Sequence, residues 1–208
     1  MKILGMILGA LLVGSAGGNE TTQPVQAPYN DDTRTLPISN RISKVEAAVR
    51  NAAVKVQRFD RGGHGSGSLI QYKDMQLVLT AQHVANDIVG TQYIVQHGPD
   101  RRAGILIYSN EAHDIALLWM QQPWSKDTAM EWNPTDEIAK VGDRITYSGF
   151  PASHSLMSYR GRVAGHEIMP DGSTNILLHT YGWFGCSGSA IYNSDKELVG
   201  VLWGIDSG

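Results

Sequence analysis

The stretch GWFGCSGSA, residues 182–190, is the most informative in the chain. It places one serine, Ser187, between Gly185 and Gly188. Glycine lets the backbone turn sharply and lets neighbouring N–H groups point at one spot. Such a loop suits a nucleophile that lies beside an oxyanion hole. Taken alone, the stretch is equally consistent with an ordinary loop rich in glycine and serine.

Two segments upstream carry the other residue types that an acyl-transfer site needs. In LVLTAQHV, residues 77–84, an apolar strand ends and His83 follows at once. In HDIALL, residues 113–118, Asp114 stands directly before another apolar strand. A carboxylate there can accept the second N–H of an imidazole and so orient it. Each residue also has an ordinary interpretation, as a polar residue at a strand end or as a turn aspartate.

The pattern around these segments predicts an all-β fold. Eleven short apolar or alternating runs, separated by Gly, Asn, Asp and Pro, follow one another from residue 54 to residue 204. Almost no helical period lies between them, which is typical of a sandwich or barrel. Before them, Ile42, Val45, Val49 and Ala52 predict a short helix with Ser39 or Asn40 as its cap.

Composition limits the function classes. The chain has 208 residues with 17 Lys and Arg against 20 Asp and Glu, a net charge of −3. That balance argues against a nucleic-acid-binding surface. The one cysteine, Cys186, excludes an intramolecular disulfide and a cysteine-based zinc site.

The N-terminus has the pattern of a secretory signal peptide. Lys2 precedes an uncharged apolar run from Ile3 to Val13, and Gly14-Ser15-Ala16 follows. The run of about 11 residues is much shorter than the ~20 that span a bilayer. We therefore expect residues 1–18 to be a signal peptide and the mature protein to be exported, periplasmic or extracellular, with no stable membrane span. The alternatives are an uncleaved anchor and a buried N-terminal element. Residues 19–40 are expected to be a linker.

With His83, Asp114 and Ser187 in this order, 31 and 73 residues apart, the chain resembles the trypsin/chymotrypsin-like serine proteases. It is most similar to the small bacterial and viral branches, including the protease domain of the high-temperature-requirement family. The matching segments, which extend the resemblance over roughly residues 45–205, are Gly65–Ser68, Thr80–Val84, Asp114–Leu118, Gly185–Ala190 and Glu197–Val201. Three features differ from the family: Ser189 and Ala190 replace a frequent Gly-Pro, Cys186 replaces the Asp of the trypsin branch, and no Ile-Val-Gly-Gly start exists.

The resemblance implies two antiparallel six-stranded β-barrels with the active site between them. A protease domain would cover residues 41–208, with an N-terminal barrel at about 53–120, a link at 121–139 and a C-terminal barrel at about 140–208. It also implies a serine endopeptidase that acts on polypeptides through an acyl-enzyme, without a metal or other cofactor. The implied catalytic residues are His83, Asp114 and Ser187, and the implied oxyanion hole is formed by Gly185, Cys186 and Ser187.

The implied substrate pocket has the least specific signal. By resemblance, its walls would include Thr180, Tyr181, Val201, Leu202, Trp203 and Gly204. The sequence leaves two other functions open: a catalytically inactive, protease-like binding module, and a non-proteolytic β-barrel binder in which the three motifs coincide by chance. It does not determine the oligomeric state.

Overall fold

The computed structural model describes residues 2–6, 37–60, 62–152 and 154–206. Strand β1 (Lys2–Met6) comes first in the chain, and helix α1 (Lys44–Ala52) is the one α-helix among the described residues. The predicted helix is present, but Ser43 caps it instead of Ser39 or Asn40. The Ser43 hydroxyl accepts the Glu46 N–H at 3.1 Å, and the Glu46 carboxylate accepts the Ser43 N–H at 2.7 Å. This reciprocal pair satisfies two N–H groups that the helix itself leaves free.

Six strands form the first barrel, and it contains the segments around His83 and Asp114. They are β2 (Ala53–Arg58), β3 (Gly65–Tyr72), β4 (Met75–Thr80), β5 (Gln92–His97), β6 (Asp100–Asn110) and β7 (Ile115–Met120). The pairing order is β2-β5-β6-β7-β4-β3, all antiparallel, and β2 also pairs with β3. The pairing of β2 with β3 therefore joins the two ends of the sheet. Closing a sheet on itself removes its exposed edges.

The segment between the barrels contains a short 3₁₀ turn (Lys126–Thr128) and strand β8 (Met130–Glu131). Strand β8 pairs in parallel with β3, where Ile70 faces Met130. The Trp132 N–H then donates to the Gln71 carbonyl at 3.0 Å. The connecting segment thus runs along the first barrel before it enters the second.

The second barrel is closed in the order β1-β11-β10-β9-β12-β13. Its later strands are β9 (Arg144–Gly149), β10 (Met157–Ile168), β11 (Thr174–His179), β12 (Ala190–Asn193) and β13 (Leu198–Asp206). These five pair antiparallel, whereas β1 lies parallel to both β11 and β13. The loop between β11 and β12 contains Ser187, so each barrel contributes part of the candidate site.

The predicted fold of two β-barrels is confirmed, with a difference in the sixth strand of the second barrel. The predicted signal peptide, residues 1–18, includes a strand of this barrel, because the structure places Lys2–Met6 between β11 and β13. An apolar run of this length fits a buried strand as well as a signal-peptide core, and periodicity alone does not separate the two. The remaining residues of the predicted signal peptide and most of the predicted linker lie outside the described residues.

The two barrels share part of their hydrophobic core. The larger cluster fills the first barrel with residues such as Val54, Leu69 and Leu118, and it continues into Tyr192 and Val201 of the second. A second cluster, which includes Tyr147, Ile176 and Cys186, fills the second barrel. Because the larger cluster contains residues of both barrels, it holds the second barrel against the first. No described helix is long and apolar enough to cross a membrane.

Candidate active site

His83 lies in a single helical turn directly after strand β4. The N–H groups of Val84 and Ala85 both donate to the Ala81 carbonyl, at 3.2 Å each. Ala81 is fully buried, and this anchors the turn at the end of the strand. The His83 side chain is 46% exposed, so one side of the ring faces the cleft between the barrels.

Asp114 orients the His83 ring through both of its carboxylate oxygens. Oδ2 lies 2.8 Å from His83 Nδ1, and Oδ1 accepts the His83 backbone N–H at 2.9 Å. Asp114 has a φ of +50°, a left-handed conformation that Asp and Asn tolerate better than most residues. This conformation directs the carboxylate from the start of β7 towards the turn after β4. Asp114 is also buried, which keeps the pair partly shielded from water.

The stretch around Ser187 consists of two consecutive tight turns. The Cys186 N–H donates to the Trp183 carbonyl and the Ser189 N–H to the Cys186 carbonyl, at 3.0 Å each. The third residue of each turn is a glycine with positive φ, +94° at Gly185 and +92° at Gly188. A negative φ followed by a positive φ is the signature of a type II turn, and glycine is the residue that adopts it without strain. The spacing of the two glycines therefore follows from the turn geometry.

Close packing gives a second reason for both glycines. A Cβ at Gly188 would overlap the Ser66 carbonyl oxygen, and a Cβ at Gly185 would overlap the Phe150 carbonyl oxygen. The Ser66 N–H also donates to the Ser187 carbonyl at 2.8 Å. The loop is thus held directly against strand β3 of the first barrel.

His83, Gly185 and Ser187 line one cleft of about 350 Å³ between the barrels, together with His64 and Phe184. Among the described residues, no hydrogen bond joins the His83 ring to Ser187, and the N–H groups of Gly185 and Ser187 have no acceptor. A catalytic hydrogen bond is often long until substrate is bound. Two free N–H groups beside a serine are the donors that an oxyanion hole requires.

Cys186, predicted as part of the oxyanion hole, does not line the cleft that contains Ser187. It is fully buried in the core of the second barrel, and its N–H is bonded to Trp183. Burial raises the pKa of the Cys186 thiol to about 11. The thiol is therefore protonated at neutral pH, and a thiol is a far weaker nucleophile than a thiolate.

The six residues predicted to form the substrate pocket do not line the cleft that contains Ser187. Val201 and Leu202 are buried in the core, and Trp203 and Gly204 are partly buried. Thr180 and Tyr181 line a separate groove of about 910 Å³ on the second barrel, where several arginines are also present. The Tyr181 ring stacks on Tyr159 with ring centroids 5.2 Å apart. Phe184 lines the cleft, and this residue is 71% exposed.

Sequence reasoning missed two residues whose hydrogen bonds hold the loop that contains Ser187. The Ser66 hydroxyl donates to the Gly185 carbonyl at 2.6 Å, and the Ala152 N–H donates to the Phe184 carbonyl at 2.6 Å. Ser66 lies in the segment Gly65–Ser68 that carried part of the resemblance, but only the fold reveals its contacts. Within the described part of the chain, no three His, Cys, Asp or Glu side chains converge as a metal site requires.

A family model for the trypsin-like peptidase domain matches residues 65–201, more than half of the chain. The chain belongs to the trypsin-like peptidase family. The match spans all three segments around His83, Asp114 and Ser187, so their common occurrence is not a coincidence within an unrelated β-barrel. A sequence search against curated proteins returns no significant match.

The fold of this trypsin-like peptidase domain is also similar to solved protease structures. The active form of the Rv3671c protease from M. tuberculosis aligns with a TM-score of 0.60 at 17% identity, over 93% of this chain and 85% of that one. Deg5 aligns at 0.61 and 18% identity, over 76% and 81%. The serine endoprotease from Yersinia pestis aligns at 0.55 and 23% identity, over 77% of this chain and 57% of that one. At these identities the similarity supports the two-barrel fold.

Proposed function

We propose that this trypsin-like peptidase is a serine endopeptidase with Ser187 as nucleophile. The observation that carries the proposal is the position of Ser187 in one cleft with a carboxylate-oriented histidine and two free N–H groups. Ser187 Oγ attacks the peptide carbonyl carbon while His83 takes its proton. The carbonyl oxygen becomes an oxyanion, which accepts hydrogen bonds from the N–H groups of Gly185 and Ser187.

The second half of the cycle uses the same groups in reverse. His83 gives its proton to the leaving amine, the C–N bond breaks, and an acyl-enzyme on Ser187 remains. Water then attacks the acyl carbonyl and gives a proton to His83, which passes it to Ser187 Oγ as the ester bond breaks and the carboxylic acid leaves. Asp114 accepts a hydrogen bond from the Nδ1–H of His83 throughout. The Nε2 atom of His83 is therefore free to exchange protons with Ser187 and the substrate. No metal or organic cofactor takes part in these steps.

A fluorophosphonate probe tests the proposal directly. The probe forms a bond from phosphorus to Ser187 Oγ and loses fluoride, and its phosphoryl oxygen occupies the oxyanion hole. We expect the wild-type protein to be labelled once per chain, with Ser187 as the modified residue in a peptide digest. Heat-unfolded protein is the control, because a serine without its base and oxyanion hole does not react. Labelling of native protein no faster than of unfolded protein would contradict the proposal and favour an inactive binding module.

We also propose that the protein is exported after cleavage of an N-terminal signal peptide. The support is the order of Lys2, the apolar run from Ile3 and the small residues up to Ala16. Cleavage there would remove β1 from the second barrel, so the two features cannot both persist in one mature chain. Protein made in a secreting host is expected to start at Gly17 by N-terminal sequencing. An intact Met1 would contradict cleavage and would leave β1 in place as a barrel strand.

A further inference from the structure

The hydroxyl group of Ser66 connects three segments that meet beneath the candidate oxyanion hole. Ser66 lies on β3 of the first barrel and is fully buried. Its Oγ donates to the Gly185 carbonyl at 2.6 Å and accepts the Phe150 N–H at 2.9 Å. Phe150 directly follows strand β9 of the second barrel, so one hydroxyl group ties both barrels to the loop that contains Ser187.

The segment Phe150–Ala152 in turn holds the peptide that supplies one oxyanion donor. The Ala152 N–H donates to the Phe184 carbonyl at 2.6 Å. Because a trans peptide directs its C=O and N–H in opposite directions, this bond turns the Gly185 N–H away from Ala152. Ala152 itself has a φ of +48°, a conformation that costs energy for a residue with a side chain. The surrounding structure therefore imposes the orientation of this N–H group.

The local turn cannot fix that orientation by itself. Types I and II turns differ mainly by a flip of the central peptide, and both keep the bond between the first carbonyl and the fourth N–H. The bond between Trp183 and Cys186 is therefore compatible with both orientations of the Phe184–Gly185 peptide. A flip would point the Phe184 carbonyl, an acceptor, at the place where negative charge develops. Glycine at position 185 permits both orientations, and contacts from outside the turn favour the one observed.

We propose that Ser66 is a positioning residue that keeps the Phe184–Gly185 peptide in its oxyanion-binding orientation. It does so by fixing Gly185 and Phe150 together, so that the Ala152 N–H stays opposite the Phe184 carbonyl. His64 reinforces the same segment, because its Nε2 lies 2.8 Å from the Phe150 carbonyl oxygen. Ser66 touches no reacting atom, so its effect appears only through the oxyanion hole. This inference rests on the proposed function.

The test compares Ser66→Ala with Ser68→Ala. Ser68 lies two residues along β3, is equally buried, and its hydroxyl accepts the Ala190 N–H at 3.3 Å. Loss of an oxyanion donor lowers turnover by about a hundredfold to a thousandfold, so partial loss of orientation in Ser66→Ala should lower kcat by about tenfold to a hundredfold. We expect KM to stay within about twofold of wild type, because ground-state binding does not use the oxyanion hole. Ser68→Ala should keep kcat within about threefold of wild type, since it disturbs the core and not this peptide.

Two further readouts separate positioning from general destabilisation. A peptide aldehyde adds to Ser187 Oγ, the proton passes to His83, and the former carbonyl oxygen takes the oxyanion position. Its affinity should fall in Ser66→Ala by the same factor as kcat/KM, as expected for a transition-state analogue. The pH profile of kcat/KM should keep its shape, because the contacts between His83 and Asp114 do not involve Ser66. Thermal melting identifies the folded variants.

Several results would overturn the positioning role. If folded Ser66→Ala shows the kcat of Ser68→Ala, or if substrate and aldehyde binding weaken equally, Ser66 is structural. If Ser66→Ala does not fold, Ser66→Gly also removes the hydroxyl group, and wild-type kcat in that variant would equally refute the role. Absence of Ser187-dependent turnover in the wild-type protein would refute the proposed function and the positioning role together. If wild-type turnover depends on Ser187 and the kcat of Ser66→Ala equals that of the wild type, only the positioning role is refuted.

Discussion

Ser187→Ala is expected to abolish peptide hydrolysis and fluorophosphonate labelling, with turnover reduced about a million-fold, as for loss of the nucleophile in subtilisin. The physical reason is that no other described nucleophile lies in the cleft with both His83 and the free N–H groups. The substitution removes a single oxygen atom and leaves both type II turns intact. The variant should therefore melt close to the wild-type temperature while its activity disappears. Initial rates on a fluorogenic peptide and probe labelling on gels measure the two effects.

Cys186 supplies the matched control for the nucleophile. Cys186→Ala should keep most of the activity, because the thiol is buried on the core side of the turn and its raised pKa, about 11, keeps it protonated. Cys186→Ser should also remain active at temperatures where it is folded, although burying a hydroxyl group in this core lowers the stability. Labelling that persists in Ser187→Ala and disappears in Cys186→Ala would assign the nucleophile to the thiol instead.

The parts of the site that could be predicted from sequence are those determined by residues close together in the chain. Gly185 and Gly188 predict the turns from sequence, because a type II turn needs a residue that adopts a positive φ at its third position. The order of His83, Asp114 and Ser187, each beside an apolar strand, likewise predicts a triad. The structure then brings Asp114 to His83 across 31 residues of chain, as the resemblance implied.

The parts that sequence reasoning did not reach depend on contacts between distant segments. Nothing in the residues around Ser66 indicates that its hydroxyl lies between Gly185 and Phe150, which are more than eighty residues away along the chain. The orientation of the residues predicted as pocket walls also depends on contacts between distant segments. Both faces of strand β13 are buried at this point, because Val201 packs in the larger core cluster and Leu202 in the cluster of the second barrel. Strand β1 is ambiguous for another reason, since the apolar residues 3–6 fit either a signal peptide or a strand.

Asp114→Asn should lower turnover about ten-thousand-fold at neutral pH while leaving the fold intact, as for the same change in trypsin. The geometry dictates how the new amide is oriented. Oδ1 accepts the His83 backbone N–H, so the amide oxygen must stay there and the NH₂ group must take the position of Oδ2. It then donates to His83 Nδ1, which forces the ring proton onto Nε2, the nitrogen that must accept the proton of Ser187. Asn tolerates the left-handed φ of this position as well as Asp does, so folding should not suffer.

The matched control for that substitution is Asp100→Asn. Asp100 is another carboxylate of the first barrel, paired with Arg102 at 2.7 Å on the surface, and it does not line the cleft. Its variant should turn over within about twofold of wild type, because a surface ion pair contributes little. Acylation by the fluorophosphonate, measured between about pH 5 and about pH 9, adds a second test, because only neutral imidazole acts as the base. The wild-type rate should fall as the pH is lowered. A flat profile, or Asp114→Asn protein that acylates as fast as Asp100→Asn protein, would show that His83 and Asp114 do not act as base and orienting carboxylate.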